Sequence, residues 1–100
     1  MGINMTLSED GAQVIIAVVG KFDFQLYDEF RAAYANSTGD DVTYIVDLSD
    51  TEYLDSSALG MLLLLREHAG GDRSRIRIES ASPDVRKILD VANFSKLFDF

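Results

Sequence analysis

Hydrophobic and polar positions alternate from the start of the chain. Ile3, Met5 and Leu7 interleave with Asn4, Thr6 and Ser8, which predicts a short strand over Ile3–Ser8. The Asp–Gly pair in Glu9-Asp10-Gly11 then signals a hairpin turn between two strand-like runs. Ala12–Val19 is apolar on both faces, as expected of a strand inside a sheet. Gly20-Lys21-Phe22-Asp23 breaks that strand. From Gln25 to Ser37 the period becomes helical: Leu26, Phe30, Ala33 and Tyr34 share a face, and Gly39 is a natural stop. Val42–Leu48 alternates again, with Val42, Tyr44, Val46 and Leu48 on one side.

Ser49–Asp55 reads as an acidic loop. A second helix is predicted over Ser56–Ala69, closed by Gly70-Gly71, with Ala58, Met61, Leu62, Leu65 and Ala69 inward. Arg75–Ser80 alternates cleanly, Ile76 and Ile78 toward the core. Ser82-Pro83 is a cap followed by proline at the first helical position. The helix it opens carries Val85, Ile88, Leu89 and Ala92 on one stripe. After it, Phe94 and Leu97 are expected to tuck onto the core, and Phe98-Asp99-Phe100 to add an edge strand. The order β–β–α–β–α–β–α implies right-handed crossovers between parallel strands. The polar sides of Val42–Leu48 and Arg75–Ser80 argue against helices on both faces. The expected fold is α/β: one small domain over residues 1–100, a mixed, mostly parallel sheet of four or five strands, helices mainly on one face.

Composition narrows the chemistry. The 100 residues include no cysteine and one histidine, His68, so cysteine-ligated metals, thiolate nucleophiles and a histidine pair are excluded. Neither a metal nor a cofactor is expected. Seventeen acids against nine bases give −8, which disfavours direct nucleic-acid binding. The imbalance is local. Up to Asp55 there are eleven acids and two bases; from Ser56 onward, six acids and seven bases. Asp23, Asp40, Asp41, Asp50, Glu52 and Asp55 gather at loop positions, either for solvation or as a face that steers a basic partner. The start of the chain has no basic signal region and the apolar runs are short, so a cytoplasmic protein without membrane insertion is expected.

Phosphate-loop, dinucleotide and nucleophile-elbow patterns are missing, so an independent enzyme is not expected. Attention falls on Asp55-Ser56-Ser57-Ala58-Leu59-Gly60. Asp55 or Ser56 can cap the helix. The helix start would also tolerate a phosphate on Ser56. Parallel strands put this loop at the carboxyl end of the sheet, and the Lys21–Asp23 turn follows a strand of similar direction. Ser56, Gly60, Leu63 and Glu67 form a stripe at i, i+4, i+7 and i+11, flanked by Leu59 and away from the inward face. That stripe is either a docking surface, with Gly60 admitting a close backbone, or is covered by Phe94–Phe100.

Four pieces in order carry a family resemblance: Gly20-Lys21-Phe22-Asp23, Tyr44-Ile45-Val46-Asp47-Leu48, Tyr53 through Gly60, and Ala81 through Leu89 followed by Phe94. Together the chain resembles the STAS domain family, specifically bacterial anti-sigma-factor antagonists, over nearly its whole length. The resemblance implies a STAS/SpoIIAA-like sheet and a partner-switching role. The unphosphorylated form would bind an anti-sigma factor that is also a serine kinase, releasing the sigma factor or another regulator. That kinase would use ATP and Mg²⁺ to phosphorylate Ser56, and a PP2C-type phosphatase would reverse the step. Asp23, Asp47, Asp55 and Ser57 would surround the phosphosite. Asp23, Ser56, Leu59, Gly60, Leu63 and Glu67 would meet the partner. The family's usual glycine at the fourth motif position is Ala58 here. Ser57-Ala58-Leu59 also resembles STAS subunits that stabilise the ATPase of lipid-transport ABC complexes without phosphorylation.

Overall fold

The opening alternation becomes β1 (Ile3–Leu7) and β2 (Gln13–Val18), antiparallel neighbours with Met5 opposite Ile16. The computed structural model describes residues 2–37 and 42–100. The helix stop at Gly39 and the acids Asp40 and Asp41 lie outside the described residues. In the hairpin turn, Asp10 Oδ1 accepts from the Ser8 hydroxyl at 2.6 Å and the Ala12 amide at 3.0 Å.

After β2 come β3 (Gly20–Phe22), α1 (Tyr27–Ala35), β4 (Thr43–Asp47), β5 (Thr51–Leu54), α2 (Ser56–His68), β6 (Ile76–Glu79) and α3 (Pro83–Val91). Single 3₁₀ turns at Phe24–Leu26 and Phe94–Lys96 lead into α1 and follow α3. The main sheet has the order β1-β2-β4-β6, with β2, β4 and β6 parallel. Register places Val14, Tyr44 and Ile76 in one row and Ile16, Val46 and Ile78 in the next. These six are buried, and they join Phe30, Leu62, Leu65 and Leu89 from the helices in one core. On the opposite face Ile15, Ala17 and Ile45 are only half-buried beside exposed Arg77. Covering one face with helices explains why β4 and β6 alternate.

Four sequence expectations change. Gly20–Asp23 does not simply break the strand, and Ser49–Asp55 is not all loop. Each contributes a short strand, β3 and β5, which pair in parallel as a separate two-stranded sheet. Strands of three and four residues show no period, and the acids around Thr51 hide it. Thr51 is nonetheless buried, and its hydroxyl donates to the Val18 carbonyl at 2.8 Å, tying the small sheet to β2. Gly20, at φ +87°, makes the corner between the two sheets in a conformation that side chains resist.

The expected final strand reduces to a single parallel bridge between Arg77 and Asp99. Leu97 does not tuck in: it is exposed, while Phe94 and Phe98 stack at 5.2 Å and are buried. The 3₁₀ turn between them puts those two rings, not Leu97, on the core side. Ser82 caps α3 as expected, accepting from the Val85 amide at 3.3 Å.

Candidate functional site

Parallel pairing brings β3 and β5 to an end together. Phe22 lies opposite Leu54, both fully or nearly fully buried, and the Asp55 amide donates to the Phe22 carbonyl at 3.4 Å. Asp23 and Asp55 therefore leave neighbouring strands at the same end. Each starts a helical turn. Asp23 Oδ1 accepts from the Gln25 amide at 3.0 Å and caps the turn leading into α1. Asp55, in extended conformation, caps α2: its Oδ1 accepts from the Ala58 amide at 3.1 Å.

The same oxygen accepts from the Ser57 hydroxyl at 2.6 Å. That bond first, and the Ala58 amide second, hold the Asp55 carboxyl below its ordinary range, because both favour the charged form. Of the two capping candidates, Asp55 is the one used. Ser56 is left as the first residue of α2, exposed, and its hydroxyl has no hydrogen-bond partner among the described residues. The two adjacent serines thus differ: Ser57 is half-buried and tied down, Ser56 faces water.

The remaining positions divide. Leu59, Gly60, Leu63 and Glu67 all carry exposed or half-exposed surface on α2, while Ala58, Met61, Leu62 and Leu65 are buried. The C-terminal segment does not cover Leu63, which is 39% exposed. Leu59 is half-buried and borders an apolar groove with Ile88 and Val91 of α3 and Ala92 just after it, beside Lys87. A Cβ on Gly60 would meet nothing within 4 Å, so no internal packing requires a glycine there. Ala58 places its methyl in the core, which accommodates the departure from glycine. Asp47 stands in the other sheet, in register with Ala17 and Glu79, and accepts from the Ser49 amide at 2.9 Å. His68, at the far end of α2, donates from Nε2 to the Ser37 carbonyl at 2.6 Å.

A family model described as "Mlab, STAS domain" matches residues 5–99. The chain belongs to the STAS domain family. A STAS-domain containing protein of Pseudomonas aeruginosa (strain UCBPP-PA14) is 49% identical over 98 residues, covering 98% of this chain and 97% of the relative. Among solved structures, the anti-sigma factor antagonist SpoIIAA in its unphosphorylated form superposes with a TM-score of 0.78 at 20% identity, covering 97% of this chain and 85% of that one. An anti-sigma factor antagonist from Mycobacterium paratuberculosis gives 0.74 at 22%, covering 97% and 83%. The Bacillus cell fate determinant SpoIIAA in the phosphorylated form gives 0.67 at 19%, covering 97% and 88%. At such identities these structures establish the STAS/SpoIIAA-like fold. No group of three or more His, Cys, Asp or Glu among the described residues could hold a metal ion. No helix among them is long and apolar enough to cross a membrane.

Phe24 escapes pattern reading, since a lone aromatic in a turn looks like core. It follows Asp23 and is 66% exposed.

Proposed function

We propose that this STAS domain is an anti-sigma-factor antagonist controlled by phosphorylation of Ser56. The unphosphorylated form binds an anti-sigma factor that is also a serine kinase and so frees the sigma factor or another regulator. A PP2C-type phosphatase resets the phosphorylated form. The supporting observation is the exposed, unpartnered hydroxyl of Ser56 at the mouth of α2, beside a Ser57 already engaged by Asp55. SpoIIAA, an anti-sigma factor antagonist with this fold, has both an unphosphorylated and a phosphorylated form.

Phosphoryl transfer would form a bond from Ser56 Oγ to the γ-phosphorus of ATP, break the bond to ADP, and pass the hydroxyl proton to a base on the kinase. The kinase supplies nucleotide and Mg²⁺. The α2 start stabilises the added charge locally through its free amides. Across an interface the effect reverses. A group of about −1.5 to −2 charge, near Asp55 and Asp23 and facing the nucleotide's own phosphates, must lose its water to stay buried. A few kcal/mol of that cost lowers affinity by about two or three decades.

The experiment is ATP labelling by the cognate kinase, followed by mass mapping. Label is expected on Ser56, with Ser56→Ala binding the kinase constitutively and Ser56→Asp binding it about 10- to 100-fold more weakly. Label only on Ser57, or equal affinity of all three chains, defeats the reading. A second reading follows from Ala58 and the Mlab description of the matching family model. There the chain would stabilise a transporter ATPase without phosphorylation. It predicts a co-purifying transporter ATPase and unlabelled Ser56.

A further inference from the structure

The partner-switching reading gives no role to the aromatic surface beside the Asp23–Asp55 corner. Phe24 exposes 66% of its area immediately after Asp23. Tyr53, 46% exposed, lies on β5 in register with exposed Lys21, two positions before Asp55. An exposed phenylalanine contributes little of the free energy that burying it would supply, so the isolated fold has small use for it there. Its position is nevertheless fixed. Asp23 clamps the turn from which Phe24 projects, through the Gln25 amide at 3.0 Å and its own carbonyl accepting from Leu26 at 3.0 Å. The ring then stacks on Tyr27, centroids 5.2 Å apart and planes at 24°. A ring already held in place loses little freedom when a partner closes on it. Protein interfaces concentrate their affinity in such aromatic anchors, seated in apolar pockets and ringed by polar groups.

We propose that Phe24 is an aromatic anchor of the partner interface, its ring entering an apolar pocket on the kinase that acts on Ser56. The proposal rests on the partner-switching reading and deepens it. The occupant follows from place and charge. Phe24 and Ser56 leave the paired strands β3 and β5 at the same end, so a protein that reaches the Ser56 hydroxyl also reaches the Phe24 turn. That protein must hold the phosphates of ATP, so its facing surface carries cations that complement Asp23 and Asp55. Phe24 supplies binding that phosphorylation does not alter directly, and the charge on Ser56 works against it.

The test uses the full chain and the kinase isolated by its ATP-dependent labelling of Ser56. Phe24→Ala is expected to weaken binding by about tenfold or more. It should raise KM for Ser56 labelling, leave kcat, and move the thermal midpoint by less than ~4 °C. Phe24→Tyr, which keeps the ring, should bind within about threefold of wild type. Wild-type affinity and KM in Phe24→Ala overturn the anchor and leave the Ser56 switch intact. So does a loss that Phe24→Tyr fails to rescue. Failure of any kinase to label Ser56 overturns the switch reading, and the anchor with it.

Discussion

At residue scale, two identical side chains stand next to each other in unlike surroundings. Ser57 donates a hydrogen bond to Asp55, while Ser56 keeps a free hydroxyl in water. The difference comes from one carboxylate. Because hydrogen bonds lower the Asp55 pKa in the fold, its stabilising effect is fully present above the unfolded value and disappears as pH falls through the folded one. The α2 start is therefore expected to loosen on the acid side of the ordinary carboxylate range, not near neutrality. An NMR titration should show the Asp55 carboxyl protonating below that range, with the Ala58 amide reporting the same midpoint. An ordinary midpoint, or no response at Ala58, would mean the cap does not hold in solution.

At the scale of elements, α2 is asymmetric. One side places Ala58, Met61, Leu62 and Leu65 in the core; the other presents Ser56, Gly60, Leu63 and Glu67. Gly60 has a helical backbone and open space where a Cβ would stand. Gly60→Ala should then stabilise the domain by about 0.5–1 kcal/mol, since glycine is the poorer helix former. The same methyl should weaken kinase binding if another backbone approaches there. Leu62→Ala is expected to cost about 2–5 kcal/mol in denaturant unfolding, for it leaves a core cavity. Leu63→Ala should cost under about 1 kcal/mol and show its main effect on binding. Chemical denaturation and a binding titration of the three variants check all of this. A stability loss at Leu63 as large as at Leu62 would return that side chain to the core.

At the scale of the whole molecule, charge and architecture coincide. The eleven acids of the first half include Asp23 and Asp55, at the shared end of β3 and β5. Such a concentration accelerates the approach of a cationic partner and is screened over about 8–10 Å at ordinary salt. Kinase association, followed by stopped-flow, should slow severalfold between about 50 and 300 mM salt, with dissociation little changed. A salt-independent association rate would mean the acids serve solvation only. The open face of the main sheet shows how architecture reached the sequence. Helices seal one side alone, so β4 and β6 alternate, and that alternation was readable as a one-sided sheet.

The sequence by itself determined the elements whose period is long enough to be seen. These are β1, β2, β4, β6 and the three helices, the inward face of α2, the Ser82 cap, and the motif from Asp55 to Gly60. Local physics fixes such features, because each depends on neighbours within a few residues. Tertiary structure alone decided the rest. The strands β3 and β5 exist by pairing with each other, and no local pattern announces either. Their pairing sets Asp23 beside Asp55. It buries Thr51 in what reads as an acidic loop. Exposure, too, is a property of the packed molecule: Phe24 and Leu97 look apolar enough for the core, yet Phe22 and Phe98 occupy it. A side chain's surroundings are set by residues far along the chain, and only the folded arrangement brings them together.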